Sequence, residues 1–409
     1  MSKCALIKSK REFRCVMSIV IGILGLILTL GLGFLLSNDK KNINFKAIGV
    51  LFVLQILLAL FMFKTSIGVS IVESVSNFVT KVLSYGYQGI EFVVGGWAPP
   101  EASVFFINVL LLIIFTATLL SILTHIRVLP LAIKYIGGAL AKITGLSNVL
   151  TFNAVNSIFF GQSESLIAIK HHLQKMNDNK LFVVCASAMG SVSASIMGSY
   201  MTMIPPQYVL VAMILNAMSA LIIATMVAPS KPSEDEKIDV REVSQTKSIF
   251  EAISAGALDG GRVALIVGAM LIAYVGLIAL LDGALTSILG ISFTAILGYI
   301  FSPIAWIMGI PASEMVTAGS IMGMKLATNE FVAMLEFQPL IEQLSPKTVA
   351  IVSTFLVSFA NFSSIGIISG SIQAISGEKA AVVAKFGLKV LLVATLASII
   401  TSIIAGLFV

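Results

Sequence analysis

Polar residues punctuate this chain in clusters, and long uncharged, mostly apolar runs fill the space between them. The runs occupy Met17–Leu36, Ala47–Phe63, Ala102–Thr124, Leu181–Ile204, Gln207–Ser230, Val263–Leu281, Thr348–Gly377 and Val390–Val409. A helix needs about 20 apolar residues to cross the hydrocarbon of a bilayer, so these runs predict eight transmembrane helices. The expected fold class is an all-α polytopic membrane protein. Composition points the same way: 57% of the 409 residues are hydrophobic and 11% charged, against about 25% charged in soluble domains. A water-surrounded globule is excluded.

Charge then orients the spans. With the N-terminus outside, 17 basic residues fall on the inner side, among them Lys40, Lys46, Arg127, Lys170, Lys180, Lys247, Lys379 and Lys389. Four fall outside: Lys64, Lys81, Lys325 and Lys347. Excess Lys and Arg marks cytoplasmic loops, so the formal charge of +6 calls for no nucleic-acid partner. The basic arm at residues 1–16 is discordant, because it would lie outside; it is expected to be an upstream extension preceding Met17, with a membrane-surface arm as the alternative. Cys4, Cys15 and Cys185 lack the spacing of a zinc or redox site. No resident cofactor is expected.

Other segments are too apolar for loops and too broken for simple spans. Ile143–Ser163 is uncharged until it meets Glu164 in Gly161-Gln162-Ser163-Glu164-Ser165, and Gly283–Ser313 carries Pro303 and Pro311 before Glu314–Phe337 brings Lys325, Asn329 and Glu330. Two spans hold small or polar clusters, Gly190-Ser191-Val192-Ser193-Ala194-Ser195 and Asn361-Phe362-Ser363-Ser364-Ile365-Gly366. The order repeats: a Glu-bearing re-entrant segment, then an interrupted span, first with Glu164 and Ser191, then with Glu330 and Asn361. Paired interruptions in corresponding positions point to an inverted-repeat transporter with a midplane site. Small residues also serve helix packing, but a carboxylate at membrane depth costs about 2.5 kcal/mol or more and needs a functional reason. Gln162, Glu164, Glu330, Asn361 and nearby serines offer mixed donors and acceptors, suited to a neutral ligand with hydroxyl and amide-like edges. The near absence of Arg and Lys disfavours a phosphorylated one.

Three of these motifs, Gly161-Gln162-Ser163-Glu164, Asn329-Glu330-Phe331-Val332-Ala333 and Phe359-Ala360-Asn361-Phe362-Ser363-Ser364-Ile365, resemble the hallmarks of the concentrative nucleoside transporters. The resemblance implies eight spans, two re-entrant hairpins, interfacial helices, a homotrimer embedded in membrane lipid, and an elevator-like movement. Carried over by residue, it implies that Gln162, Ser163 and Glu164 recognise the nucleobase and that Glu330, Asn361 and Ser364 hold the ribose. Phe359 and Ile196 would supply apolar contact. The segments around Ile67–Leu83 and Leu129–Thr144 would be interfacial. The implied division is an arm (1–16), scaffold-side helices (17–145), a first transport repeat (146–230), a polar cytoplasmic linker (231–247), a scaffold span with interfacial helices (248–310) and a second transport repeat (311–409).

The chain departs from the family pattern at Met334 and Phe337, where Tyr and Leu are usual, and at the coupling-ion site. Sodium-coupled members place an Asn where Ser157 stands, beside Asn156; Ser191 keeps its hydroxyl, and Phe160 and Val192 match the carbonyl positions. Losing an amide oxygen weakens a cage for a hard cation. The expectation is therefore proton-driven symport, with sodium coupling as the alternative and Glu164 and Glu330 as candidate proton carriers. No metallohydrolase pair or serine-nucleophile elbow accompanies the motifs, which leaves an intramembrane enzyme as the weaker reading. A channel sharing the cavity is the other rival.

Overall fold

The computed structural model describes residues 3–95, 104–231 and 246–409, all helices and connections, with no strand among the described residues. In chain order the helices are α1 (Lys3–Leu35), α2 (Phe45–Lys64), α3 (Ser66–Val94), α4 (Leu112–His125, entered through a π turn at Phe106–Leu110), α5 (Val128–Thr144), α6 (Asn148–Phe159), α7 (Gln162–Ile167), α8 (Lys170–Leu173) and α9 (Asp178–Met189). They continue as α10 (Ala194–Met201), α11 (Pro206–Val227), α12 (Ile249–Leu289), α13 (Phe293–Ile307), α14 (Met315–Ala327), α15 (Glu330–Phe337), α16 (Pro346–Leu356), α17 (Phe362–Ile375) and α18 (Gly377–Leu407).

Among the described residues, seven helices or helix pairs are long and apolar enough to cross a membrane. The seventh expected span, Thr348–Gly377, is present as two half-helices, α16 and α17, separated by the non-helical stretch 357–361. The fourth is likewise divided into α9 and α10 around 190–193. Several boundaries move. The last span begins at Gly377, not Val390, because Lys379, Lys385 and Lys389 continue its helix. Val263–Leu281 is the middle of the 41-residue α12, whose length of about 60 Å at 1.5 Å per residue is twice the hydrocarbon thickness. Asp259 and Arg262 end the uncharged run, yet they pair with each other at 3.4 Å on the helix surface and let the helix pass. Pro303 sits inside α13 without ending it. Interfacial segment α3 runs on to Val94 and closes at Gly95, whereas α5 keeps the expected ends. The arm is helical from Lys3 onward and continuous with α1. Most of the polar linker 231–247 lies outside the described residues.

Helices α9–α10, α11 and α18 form the buried centre, while α1, α2, α4 and α12 expose much of their apolar surface around it. Helix α12 crosses α4 with the backbones nearly touching. A Cβ on Gly260 would lie 2.7 Å from Ile114 Cα and 2.8 Å from the Ile113 carbonyl, and Gly256, one turn earlier, meets Thr118 Cα in the same way. This is the small-xxx-small packing of membrane helices.

Polar and basic groups gather at the two ends of the bundle. At one end Lys389 Nζ donates to Asn38 Oδ1, Lys379 Nζ to the Met176 carbonyl, and Asn38 N to the Val227 carbonyl. That gathers the end of α1, the end of α11 and the start of α18. At the other, Ser18 Oγ donates to the Gly309 carbonyl, with the Lys347 side chain beside Gly309 and Gly406. Lys325 belongs to neither end. It is fully buried, which corrects its assignment as an outer-side charge.

Candidate functional site

Four short helices begin where the two repeats meet. In each hairpin the chain leaves one helix, makes a two-residue break and re-enters a helix whose first turn holds a glutamate: Glu164 in α7 and Glu330 in α15. Asn329 caps α15 by accepting the Val332 N–H at 3.0 Å. The broken spans restart in the same way. Ser193 caps α10, and Asn361 caps α17 by accepting the Ser364 N–H at 2.9 Å. Unpaired N–H groups give helix starts partial positive charge, which suits carboxylates and hydroxyl-rich ligands there.

The breaks touch. Phe359 N donates to the Ser191 carbonyl at 2.9 Å, so the two interrupted spans share one main-chain hydrogen bond. Around this crossing lies a cavity of about 360 Å³, within the range of small-ligand pockets. All eight residues that the sequence assigns to the ligand line it: Gln162, Ser163, Glu164, Ile196, Glu330, Phe359, Asn361 and Ser364.

Glu330 is buried and held by two donors, Tyr200 Oη at 2.8 Å and Asn361 Nδ2 at 3.0 Å, one to each carboxylate oxygen. Such a pair fixes the carboxylate's rotation and repays part of its desolvation. Asn361 therefore does two jobs, capping α17 through Oδ1 and donating to Glu330 through Nδ2. Across the cavity Gln162 Nε2 donates to Ser364 Oγ at 3.1 Å, and Ser371 Oγ donates to Ser163 Oγ at 2.8 Å, so the first hairpin's tip is clasped to α17. Gln162 Oε1 is buried without a partner. Glu164, by contrast, opens into the cavity.

A second chamber of about 230 Å³ shares Gly161, Glu164, Ser193 and Ser195 with the first. It continues past Asp259 to Thr124 and Thr246. There His125 Nδ1 bonds Thr246 Oγ1 at 2.8 Å, at the end of α4 that precedes Arg127. The second chamber thus reaches the end of the bundle that carries His125 and Thr246.

The coupling-ion candidates sit behind the cavity wall. Asn156 and Ser157 on α6 and Ser191 and Val192 in the break are all buried, while Phe160 lines the second chamber. Ser157 Oγ donates to the Ala154 carbonyl at 2.9 Å and Ser191 Oγ to Ala188 at 3.0 Å. Asn156 Nδ2 donates to the Ser165 carbonyl, and its Oδ1 has no partner. A buried amide oxygen left unpaired is a site's raw material.

Sequence reasoning missed Tyr200, whose hydroxyl role requires knowing that α10 packs on α15, and Val263, Val267 and Met270 of α12, which close the cavity's apolar side. A tyrosine one turn beyond Ile196, in the helix that follows the small and polar cluster at 190–195, is the available signal.

The chain matches the family described as Na+ dependent nucleoside transporter over residues 24–97 (its N-terminal part) and 208–406 (its C-terminal part), and the description "nucleoside recognition" over 106–207. It is 36% identical to the purine nucleoside transport protein NupG of Bacillus subtilis, over 96% of this chain and all of that protein. The chain belongs to the concentrative nucleoside transporter family. It is also 34% identical to the nucleoside permease NupC of Helicobacter pylori, covering 96% of this chain and 99% of that one. Among solved structures it superposes on CNTnw in an inward-facing substrate-bound state with a TM-score of 0.91 at 32% identity, covering 96% and 98% of the two chains. A CNTnw variant in an outward-facing state gives 0.92 over the same shares. This concentrative nucleoside transporter is thus a bacterial, multi-pass protein of the cell membrane, and a transporter rather than an enzyme.

Proposed function

We propose that the protein takes up nucleosides across the cell membrane by cation-coupled, elevator-type alternating access, with Glu330, Asn361 and Ser364 holding the ribose and Gln162, Ser163 and Glu164 reading the base. One observation carries this reading: a buried, doubly hydrogen-bonded carboxylate and an amide whose oxygen has no partner belong to residues that line one cavity. Vicinal ribose hydroxyls donate to a carboxylate, and the Gln162 amide oxygen accepts from a base N–H. Buried groups left unpaired by the wrong ligand are strong discriminators. Residues 146–230 and 311–409 make up the moving part, which crosses the scaffold of a homotrimer, and the chamber past Asp259 is its inner exit.

The coupling cation in this reading is the proton. Ser157 replaces the family's amide ligand, and Glu164, open to the cavity, is the group a proton neutralises before an apolar crossing. Sodium is the second reading, favoured by the unpaired Oδ1 of Asn156, an oxygen ligand one residue from the usual place. Labelled uridine uptake into proteoliposomes, with proton and sodium gradients imposed separately, decides between them. Accumulation driven by protons without sodium is expected; uptake that needs sodium and ignores the proton gradient overturns the proton and makes Asn156 the ligand. Counterflow of labelled uridine tests the carrier itself, since a channel dissipates a gradient without exchange.

A further inference from the structure

The two interrupted spans are built alike, but their breaks are finished differently. Ser191 follows Glu164 by 27 residues and Ser358 follows Glu330 by 28, and each lies just past the C-terminal end of a half-helix, α9 or α16. Helix C-terminal ends present carbonyls with partial negative charge and attract cations.

In the first repeat no basic residue of α6 answers that end, since Asn148–Phe159 contains none. Ser191 Oγ donates back to Ala188, and Asn156 Oδ1 is buried and unpaired. In the second repeat the same place is filled from within the chain. Lys325 on α14, fully buried, extends its ammonium to the Phe355 carbonyl at 2.5 Å and Ser358 Oγ at 2.6 Å, with Nζ 4.3 Å from the centre of the Phe355 ring. Ser358 Oγ is braced in turn by Ser398 Oγ at 2.8 Å. Among the described residues no carboxylate lies within 4 Å of the Lys325 ammonium, and the acidic group whose charge it feels is the buried Glu330. The ammonium's cage is a carbonyl, a hydroxyl and an aromatic face, the donor set for a monovalent cation rather than for a salt bridge.

We infer that the Lys325 ammonium is a tethered cation, occupying permanently in the second repeat the place that the first repeat leaves for the transported coupling ion. The inference deepens the sodium reading given under Proposed function and rests on it for the first-repeat ion, which that reading places beside Asn156 and Ser191. It implies that only one ion per cycle is drawn from solution, because the second place is never vacant. It also makes Lys325 a positioning residue for the ligand. The cage ends at Ser358, adjacent to Phe359 and three residues before Asn361, so losing the cation frees the segment that holds both.

The test removes the tethered charge and offers a free one. Lys325→Ala leaves a pocket in which the Phe355 carbonyl loses the ammonium and Ser358 Oγ keeps only Ser398, and methylammonium is the probe because it carries three N–H donors. Tetramethylammonium, with none, is the control. Without nucleoside, the melting temperature of K325A in detergent should rise by at least about 2 °C with methylammonium, and stay put with tetramethylammonium; wild type should respond to neither. Uridine affinity of K325A, by calorimetry, should fall at least tenfold and recover at least threefold with methylammonium. Lys325→Met, which keeps the stem and drops the charge, serves if K325A is not recovered folded and should also lose at least tenfold in affinity. The inference is overturned if either variant melts and binds as wild type does, or if the two ammonium ions act alike on K325A. Wild-type protein that binds no uridine would overturn the nucleoside reading instead, while the melting experiment still judges the cation.

Discussion

Asn361→Asp isolates one hydrogen bond at the centre of the site. The change is nearly isosteric and keeps an oxygen where Oδ1 now accepts from Ser364 N at 2.9 Å and from Ser363 Oγ at 2.7 Å, so the cap of α17 survives. What changes is Nδ2, the donor 3.0 Å from Glu330 Oε2, which becomes a second carboxylate oxygen. Two unit charges at that distance repel by roughly 5 kcal/mol at an effective dielectric constant of about 20, and a charge-assisted hydrogen bond of about 1.5–3 kcal/mol is lost as well. If only a third of that total reaches the ligand, about 2 kcal/mol or more separates variant from wild type, roughly thirtyfold in affinity. Uridine titrated calorimetrically into purified protein at pH 8 should show that loss. Lowering the pH lets the pair share one proton and restores an O–H donor, so affinity should partly recover at pH 5.5. Asn361→Ala is the companion, because it removes the cap too and should cost a further 0.5–2 kcal/mol or so of stability. Aspartate binding uridine as tightly as wild type at pH 8 would refute the assignment of Asn361 as the donor that aims Glu330.

Tyr200→Phe removes the other donor while retaining the edge-on contact with Phe331 at 5.0 Å; uridine affinity should drop about tenfold with the melting temperature shifted by only a few degrees, and an unchanged affinity counts against Tyr200 as an orienting group. Gly260→Val places a side chain against the α4 backbone and should destabilise by about 1–3 kcal/mol, read as a lower melting temperature in detergent, whereas Gly261→Val, which meets nothing within 4 Å, should not. Deleting residues 1–16 should leave uptake and orientation intact, because the remaining loops already carry the inner-side charge bias; inverted accessibility of a cysteine placed at 40–44, between α1 and α2, would contradict this.

The sequence made the site more legible than the scaffold. Carboxylates and amides at membrane depth are conspicuous against an apolar background, so Glu164, Glu330 and Asn361 identify themselves, and the cavity gathers all of their expected neighbours. Helix ends are less conspicuous. The run read from Val263 begins fourteen residues after α12 does, because hydropathy registers Asp259 and Arg262 as an ending although they neutralise each other on the helix surface. Lys325 misleads for the opposite reason. A lone lysine reads as a loop charge until the carbonyl end of a half-helix is found beside it, and that proximity spans 30 residues of chain. Tyr200 is invisible on similar grounds, its partner lying 130 residues away.

The hydrogen bond from Phe359 N to the Ser191 carbonyl has a consequence for how this protein can be dissected and how it can drift. It joins the break beside the ion candidates to the break beside the ligand, and it is made wholly of main chain. No alanine scan touches it. Coupling carried by such a bond would look ownerless in side-chain mutagenesis, with every single substitution leaving a residue of communication behind. The side chains around it are free to change over generations, as at Ser157, without cutting the link between halves. Proline at 359, which deletes the donor, is the one ordinary substitution that severs it chemically.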